Sequence, residues 1–148
     1  MILPNFKDFP RVGRILGIDW GARRTGVAIS DETHQIVFVR PGVVSNGTDD
    51  LVKQILSVIT AEKIVGIVIG LPLRMDGTES PTTQNVRAFA DILATQTNVP
   101  ICFVDETLTS ASAQEDMGRV RVRDIKQKLD SQSARVILEN AIAIINRL

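Results

Sequence analysis

Apolar and polar positions alternate in two different periods along this chain, and the switch between them marks its elements. Arg14-Ile-Leu-Gly-Ile-Asp19 reads as a short buried strand that ends at a Trp20-Gly21 turn. Thr25–Ser30 is a second strand, Asp31–His34 a polar turn, and Gln35–Val44 a third strand, so the first third of the chain predicts an antiparallel meander. The period then lengthens. Thr48 is placed to cap a helix whose first turn holds Asp49 and Asp50, and Leu51, Ile55 and Ile59 carry its stripe to about Lys63. The β-branched run Ile64–Ile69 suits a central strand closed by Gly70-Leu-Pro72. After a polar loop, Ser80-Pro81 opens a second helix with Val86, Phe89, Ala90, Leu93 and Ala94 on one stripe. Ile101–Val104 forms another strand, Thr109–Met117 a short helix, residues 118–128 a basic loop, and Ser131–Asn146 the last helix. Strands followed by helix–strand–helix–strand–helix predict an α/β fold, a mixed sheet with helices packed on its faces. Residues 1–13 read as a loose N-terminal arm ahead of a single domain, 14–148.

Composition narrows the function classes. The 148 residues are 44% apolar, with a mean hydropathy of +0.12, enough for a real core. One Cys and one His exclude a disulfide framework within the chain and a four-ligand zinc site. Cys102 reads as an inert core thiol, and His34, in a turn, as exposed and without a partner for acid–base work. The longest apolar run, Ile64–Leu73, is about half the ~20 residues of a membrane-spanning helix. No signal peptide is visible at the N-terminus, and the expectation is a soluble, cytoplasmic protein. Seventeen bases balance seventeen acids, which argues against nucleic-acid binding by bulk charge but leaves room for local patches. Arg119, Arg121, Arg123, Lys126 and Lys128 form one such group, interrupted only by Asp124, and Arg11, Arg14, Arg23 and Arg24 a looser second.

Three acidic positions stand out. Asp19 ends a buried strand, where open α/β sheets place their ligand crevices, and Asp105-Glu106 end another. Asp130 is expected at the start of the last helix, on the stripe of Ala134, Ile137 and Leu138. Carboxylates converging from two strands and a helix repel one another unless a cation lies between them, and oxygen-only donors suit Mg²⁺ or Mn²⁺. Plainer roles exist for each: an Asp after a strand is common turn chemistry, Asp130 could simply cap a helix, and Asp31 and Asp76-Gly77 read as turns.

Together these segments resemble the YqgF (RuvX) family, a branch of the ribonuclease H-like superfamily. The matching stretches are Gly17-Ile-Asp-Trp-Gly21 with Arg23-Arg-Thr-Gly-Val-Ala28, Gly70-Leu-Pro-Leu-Arg-Met-Asp-Gly77, Val104-Asp-Glu-Thr-Leu-Thr109 and Asp130-x-x-Ser-Ala-x-x-Ile-Leu138. They follow the family's order from Arg14 onward. The resemblance implies five strands in ribonuclease H order and a metal-dependent phosphodiesterase site, with Asp19, Glu106 and Asp130 as its catalytic acids. Asp105 is a further candidate metal ligand. Thr107 stands where the family usually has Arg, and Ser133 where it usually has Ala.

The function expected on this reading is a nuclease that matures the 5′ end of the small-subunit (pre-16S) ribosomal RNA precursor. Its alternatives are a Holliday-junction resolvase and a non-catalytic nucleic-acid or ribosome-associated module. An actin-like ATPase or sugar kinase shares the Gly-Ile-Asp-x-Gly pattern but clamps nucleotide between two lobes, and one lobe fills this chain. Arg23, Arg24, Arg74 and the basic group 119–128 are the expected phosphate contacts, together with the Ser80-Pro81 helix N-terminus. The expected partners are RNA precursor or branched DNA and pre-ribosomal particles, with no membrane. Cutting a four-way junction symmetrically needs a two-fold dimer, and no apolar helix face is left over for a strong one. A monomer or weak homodimer is therefore expected.

Overall fold

The computed structural model describes residues 1–106 and 122–148, the stretch 122–131 by its backbone alone. Among the described residues the elements follow in the order β1 (Ile2–Leu3), β2 (Arg14–Asp19), β3 (Arg24–Ser30), β4 (Val37–Val44), α1 (Thr48–Ala61), β5 (Ile64–Leu71), α2 (Pro81–Gln96), β6 (Ile101–Asp105) and α3 (Val122–Asn146). The strands form one sheet in the order β1-β6-β5-β2-β3-β4. β2, β3 and β4 make the antiparallel meander read from the sequence, while β5, β6 and β1 run parallel to β2.

Side-chain alternation divides the core in two. Leu16, Ile18, Ile67 and Ile69 face α1 and α2, where Leu51, Ile55, Phe89 and Leu93 meet them. Ile15, Val68, Cys102 and Val104 face α3, against Ala134, Ile137, Leu138 and Ala141. Gly17 brings α3 close to β2: a Cβ there would stand 2.9 Å from Leu138 Cβ and 3.0 Å from the Ala134 carbonyl oxygen.

The structure corrects several expectations. The sheet has six strands, the sixth being the two-residue β1. The N-terminal segment is no loose arm, since Ile2 and Leu3 pair with β6 and Phe6 and Phe9 are buried in the α3-side core. The N-cap of α1 is Gly47, with no side-chain cap, rather than Thr48. His34 is buried, in a left-handed conformation (φ 63°), and its Nε2 donates to the Gly13 carbonyl at 2.7 Å. Helix α3 begins at Val122, so Arg123, Lys126 and Lys128 belong to a helix and not a loop, and Asp130 lies well inside it rather than at its start. The expected helix Thr109–Met117, Thr107, Arg119 and Arg121 lie outside the described residues.

Candidate active site

Asp19 is the last residue of β2, and alternation from Ile15 and Gly17 puts it on the α3 face of the sheet. The register sets Ile18 beside Ile69, so Asp19 comes level with Gly70 at the end of β5. On the far side of β5, Gly70 pairs with Val104 and Leu71 with Asp105. The Glu106 N–H donates to the Leu71 carbonyl at 3.2 Å, which fixes the chain just beyond β6. Val104 faces α3, so Glu106 does too, and its carboxyl reaches over β5 towards Asp19. Gly70 makes this possible: a Cβ there would meet Glu106 Oε2 at 2.7 Å and Ile137 Cδ1 at 2.4 Å.

The two acids are hydrogen-bonded to one another. Burial, then the charge of Asp19 and a hydrogen bond with it, pushes the Glu106 carboxyl up to about 8. Near neutral pH the metal-free pair thus keeps a proton on Glu106. Glu106 Oε2 is nevertheless buried without a hydrogen-bond partner, and among the described residues only the Ser133 hydroxyl on α3 shares that condition.

The other expected site residues divide. Asp105 leaves the cluster: alternation turns it to the opposite face, where it is exposed beside a cavity of about 400 Å³ lined by Leu3, Leu71, Arg87 and Phe103. Arg87 there is paired with Glu79 at 2.8 and 3.1 Å and lies 5.5 Å over the Phe103 ring. The helical backbone carries Asp130 one turn before Ala134. Among the described residues no three metal-ligating side chains gather. Arg24 begins β3, two residues before the Gly26 that pairs with Asp19, on the same face as the acids. Arg23 is exposed in the preceding turn. Arg74 is exposed after β5, in a turn closed by hydrogen bonds between Arg74 and both Gly77 and Thr78. The first turn of α2 has less to offer a phosphate than expected. Ser80 Oγ accepts from the Thr83 N–H and Thr83 Oγ1 from the Ser80 N–H, so the capping box uses two donors itself. In the sequence Gly70 reads as the close of a strand and the first residue of a family motif; its level register with Asp19 becomes visible once the strand order is known.

A ribonuclease H-type strand order, with one acid ending the first long strand and another following the last, agrees with the sequence motifs. The profile of the RuvX family, described as Holliday junction resolvase, matches residues 13–143. The chain belongs to the RuvX family. A relative from Maridesulfovibrio salexigens, named "Putative pre-16S rRNA nuclease", is 39% identical over 132 residues, covering 88% of this chain and 98% of the relative. One of the same name from Rhodobacter capsulatus is 36% identical, covering 96% of this chain and 93% of its own. Among solved structures, Thermus thermophilus RuvC in complex with Holliday junction substrate superposes with a TM-score of 0.56 at 11% identity, over 91% of this chain and 96% of that one. At that identity the likeness shows a shared fold. RuvX membership is that of divalent-metal-dependent nucleases, and the donor set fits such an ion: two converging carboxylates, one with a buried oxygen that lacks a partner.

Proposed function

We propose that this RuvX-family hydrolase is a Mg²⁺- or Mn²⁺-dependent nuclease that trims the 5′ end of the small-subunit ribosomal RNA precursor. The half-buried Asp19–Glu106 pair carries this reading, because two acids held this close are stable together as anions only beside a cation. Asp19 and Glu106 would hold the ion, with Asp130 the proposed third ligand from α3. When bound, the ion supplies Lewis acidity to the phosphodiester and to the attacking water. The chain's own residues do the rest. Glu106 must give up its proton as the site loads, so loading is favoured by rising pH. Arg24, with Arg23 and Arg74 at the same end of the sheet, orients the phosphates on either side of the scissile bond by charge-assisted hydrogen bonds. Arg119, Arg121, Arg123, Lys126 and Lys128 are further candidate phosphate contacts of this reading. The reading goes with a cytoplasmic protein, monomeric or weakly dimeric, acting on pre-ribosomal RNA.

The names of the curated relatives support the RNA precursor, and the description of the family profile favours a second reading, a resolvase of four-way DNA junctions. Incubating the protein with a 5′-extended precursor RNA and with a four-way junction, each with Mg²⁺, Mn²⁺ or EDTA, separates them. Metal-dependent cleavage of the RNA is expected. Paired symmetric cuts in the junction with the RNA intact would select the resolvase. Cleavage of neither would leave a non-catalytic module.

A further inference from the structure

Asp19 and Trp20 are consecutive, yet they serve opposite faces of the sheet. Asp19 turns to the α3 side, while the half-buried Trp20 packs against the core beneath α1 and α2. There Trp20 lines a cavity of about 260 Å³ together with Ser45, Thr48, Leu51 and Asn85. The walls are mixed: an indole and a leucine supply apolar surface, two hydroxyl residues and an exposed amide supply polar groups. This cavity plays no part in holding the two acids, but it opens at the same strand end.

We propose that this cavity receives one unpaired nucleobase of the substrate strand, stacked on Trp20, next to the phosphodiester presented to Asp19 and Glu106. The inference rests on the nuclease reading above and deepens it, because a base in this cavity must be out of a duplex. Three features favour a base over other occupants. An aromatic wall accepts the π-face of any base, and stacking of this kind is the usual way proteins hold single strands. Asn85 offers both donors and an acceptor to a base edge. A phosphate is disfavoured, since Asp49 and Asp50 occupy the first turn of α1 and Asp50 Oδ2 already accepts from the Asn46 N–H at 3.0 Å.

The chain contains one Trp and no Tyr, so its intrinsic fluorescence reports on Trp20 alone. The full-length protein is titrated in EDTA, which prevents cleavage, with a single-stranded RNA oligonucleotide, the same strand in duplex, an abasic strand of equal length, and adenosine monophosphate. Labelled single strand is followed in parallel by anisotropy with Trp20→Phe and Trp20→Ala. The proposal expects saturable quenching by the single strand, little by the duplex or abasic strand, an affinity within a few-fold of wild type for Trp20→Phe, and a loss of roughly tenfold or more for Trp20→Ala. Strand binding without quenching, or Trp20→Ala binding as well as wild type, would overturn it. Because the wild-type signal needs no variant, misfolding of Trp20→Ala cannot mask the answer. Quenching by the mononucleotide but not by the strand would also overturn it, in favour of a free-nucleotide site. Cleavage of precursor RNA alongside unchanged Trp20 fluorescence would leave the nuclease standing and remove only the base pocket, whereas quenching with no cleavage in metal would remove the nuclease and keep the pocket.

Discussion

Gly70 leaves room for the acid pair by lacking a side chain, since a Cβ there would press on the ends of the Glu106 and Ile137 side chains. The closeness of the two acids has a measurable consequence in metal-free protein. The Glu106 carboxyl titrates near 8 in the folded state against 4.5 for the free group, so between those values the native state holds a proton that the unfolded chain has lost. Stability from this group is therefore complete below about pH 4.5, falls as pH rises towards 8, and levels off above. The carboxyls with lowered values act in another window: Asp31, held at about 2 by the Ile36 N–H and the Thr33 hydroxyl, loses its contribution only as pH falls below 3.8. Urea unfolding in EDTA at about pH 5 and pH 8.5 should show wild type losing stability at the higher pH and Glu106→Gln losing much less. Equal slopes in the two proteins would mean that Glu106 is not the titrating group.

At the level of elements, legibility followed length and period. β2 was read with its observed bounds because an apolar run stops at a charged residue, and α2 because Ser80 and Pro81 mark its start chemically. The early turns of α3 were missed although Val122, Ile125 and Leu129 keep a helical spacing, because the dense charges among them suggested a loop. His34 was misjudged because a turn sequence does not reveal the Gly13 carbonyl that buries it. The acid pair was legible as two strand ends, but the choice of Glu106 over Asp105 depended on which face each residue takes, which sequence leaves open to a one-residue shift. The N-terminal segment carried no period at all: two Phe residues three apart, with charges between, anchor it only through tertiary contact. Phe9 lies over Gly66 and meets Phe6 edge-on, with ring centroids 5.2 Å apart. Phe9, 2% exposed, should therefore cost about 3–5 kcal/mol when replaced by Ala, measured by urea denaturation. A loss under about 1 kcal/mol would return residues 1–13 to the status of an arm.

For the whole molecule, strand direction gathers the chemistry. β2, β5 and β6 run parallel and end at one edge, and the antiparallel β3 begins there, so Asp19, Glu106, Arg23, Arg24 and Arg74 lie at the same end of the sheet although they are scattered along the chain. This explains how a protein with seventeen bases and seventeen acids can engage a polyanion: the balance is global and the positive groups are placed locally. The acid pair at this edge is proposed to perform metal-dependent phosphodiester hydrolysis. Asp19→Asn tests this most directly, because it keeps the side chain's size and removes the charge that would hold the ion. The measurement is the rate of precursor RNA cleavage against Mn²⁺ concentration for wild type and Asp19→Asn, with thermal unfolding in EDTA confirming that both are folded. Cleavage by wild type is expected to rise with metal and vanish in EDTA, and a fully folded Asp19→Asn is expected to cleave at the background rate at every concentration. Cleavage by Asp19→Asn at the wild-type rate would contradict it.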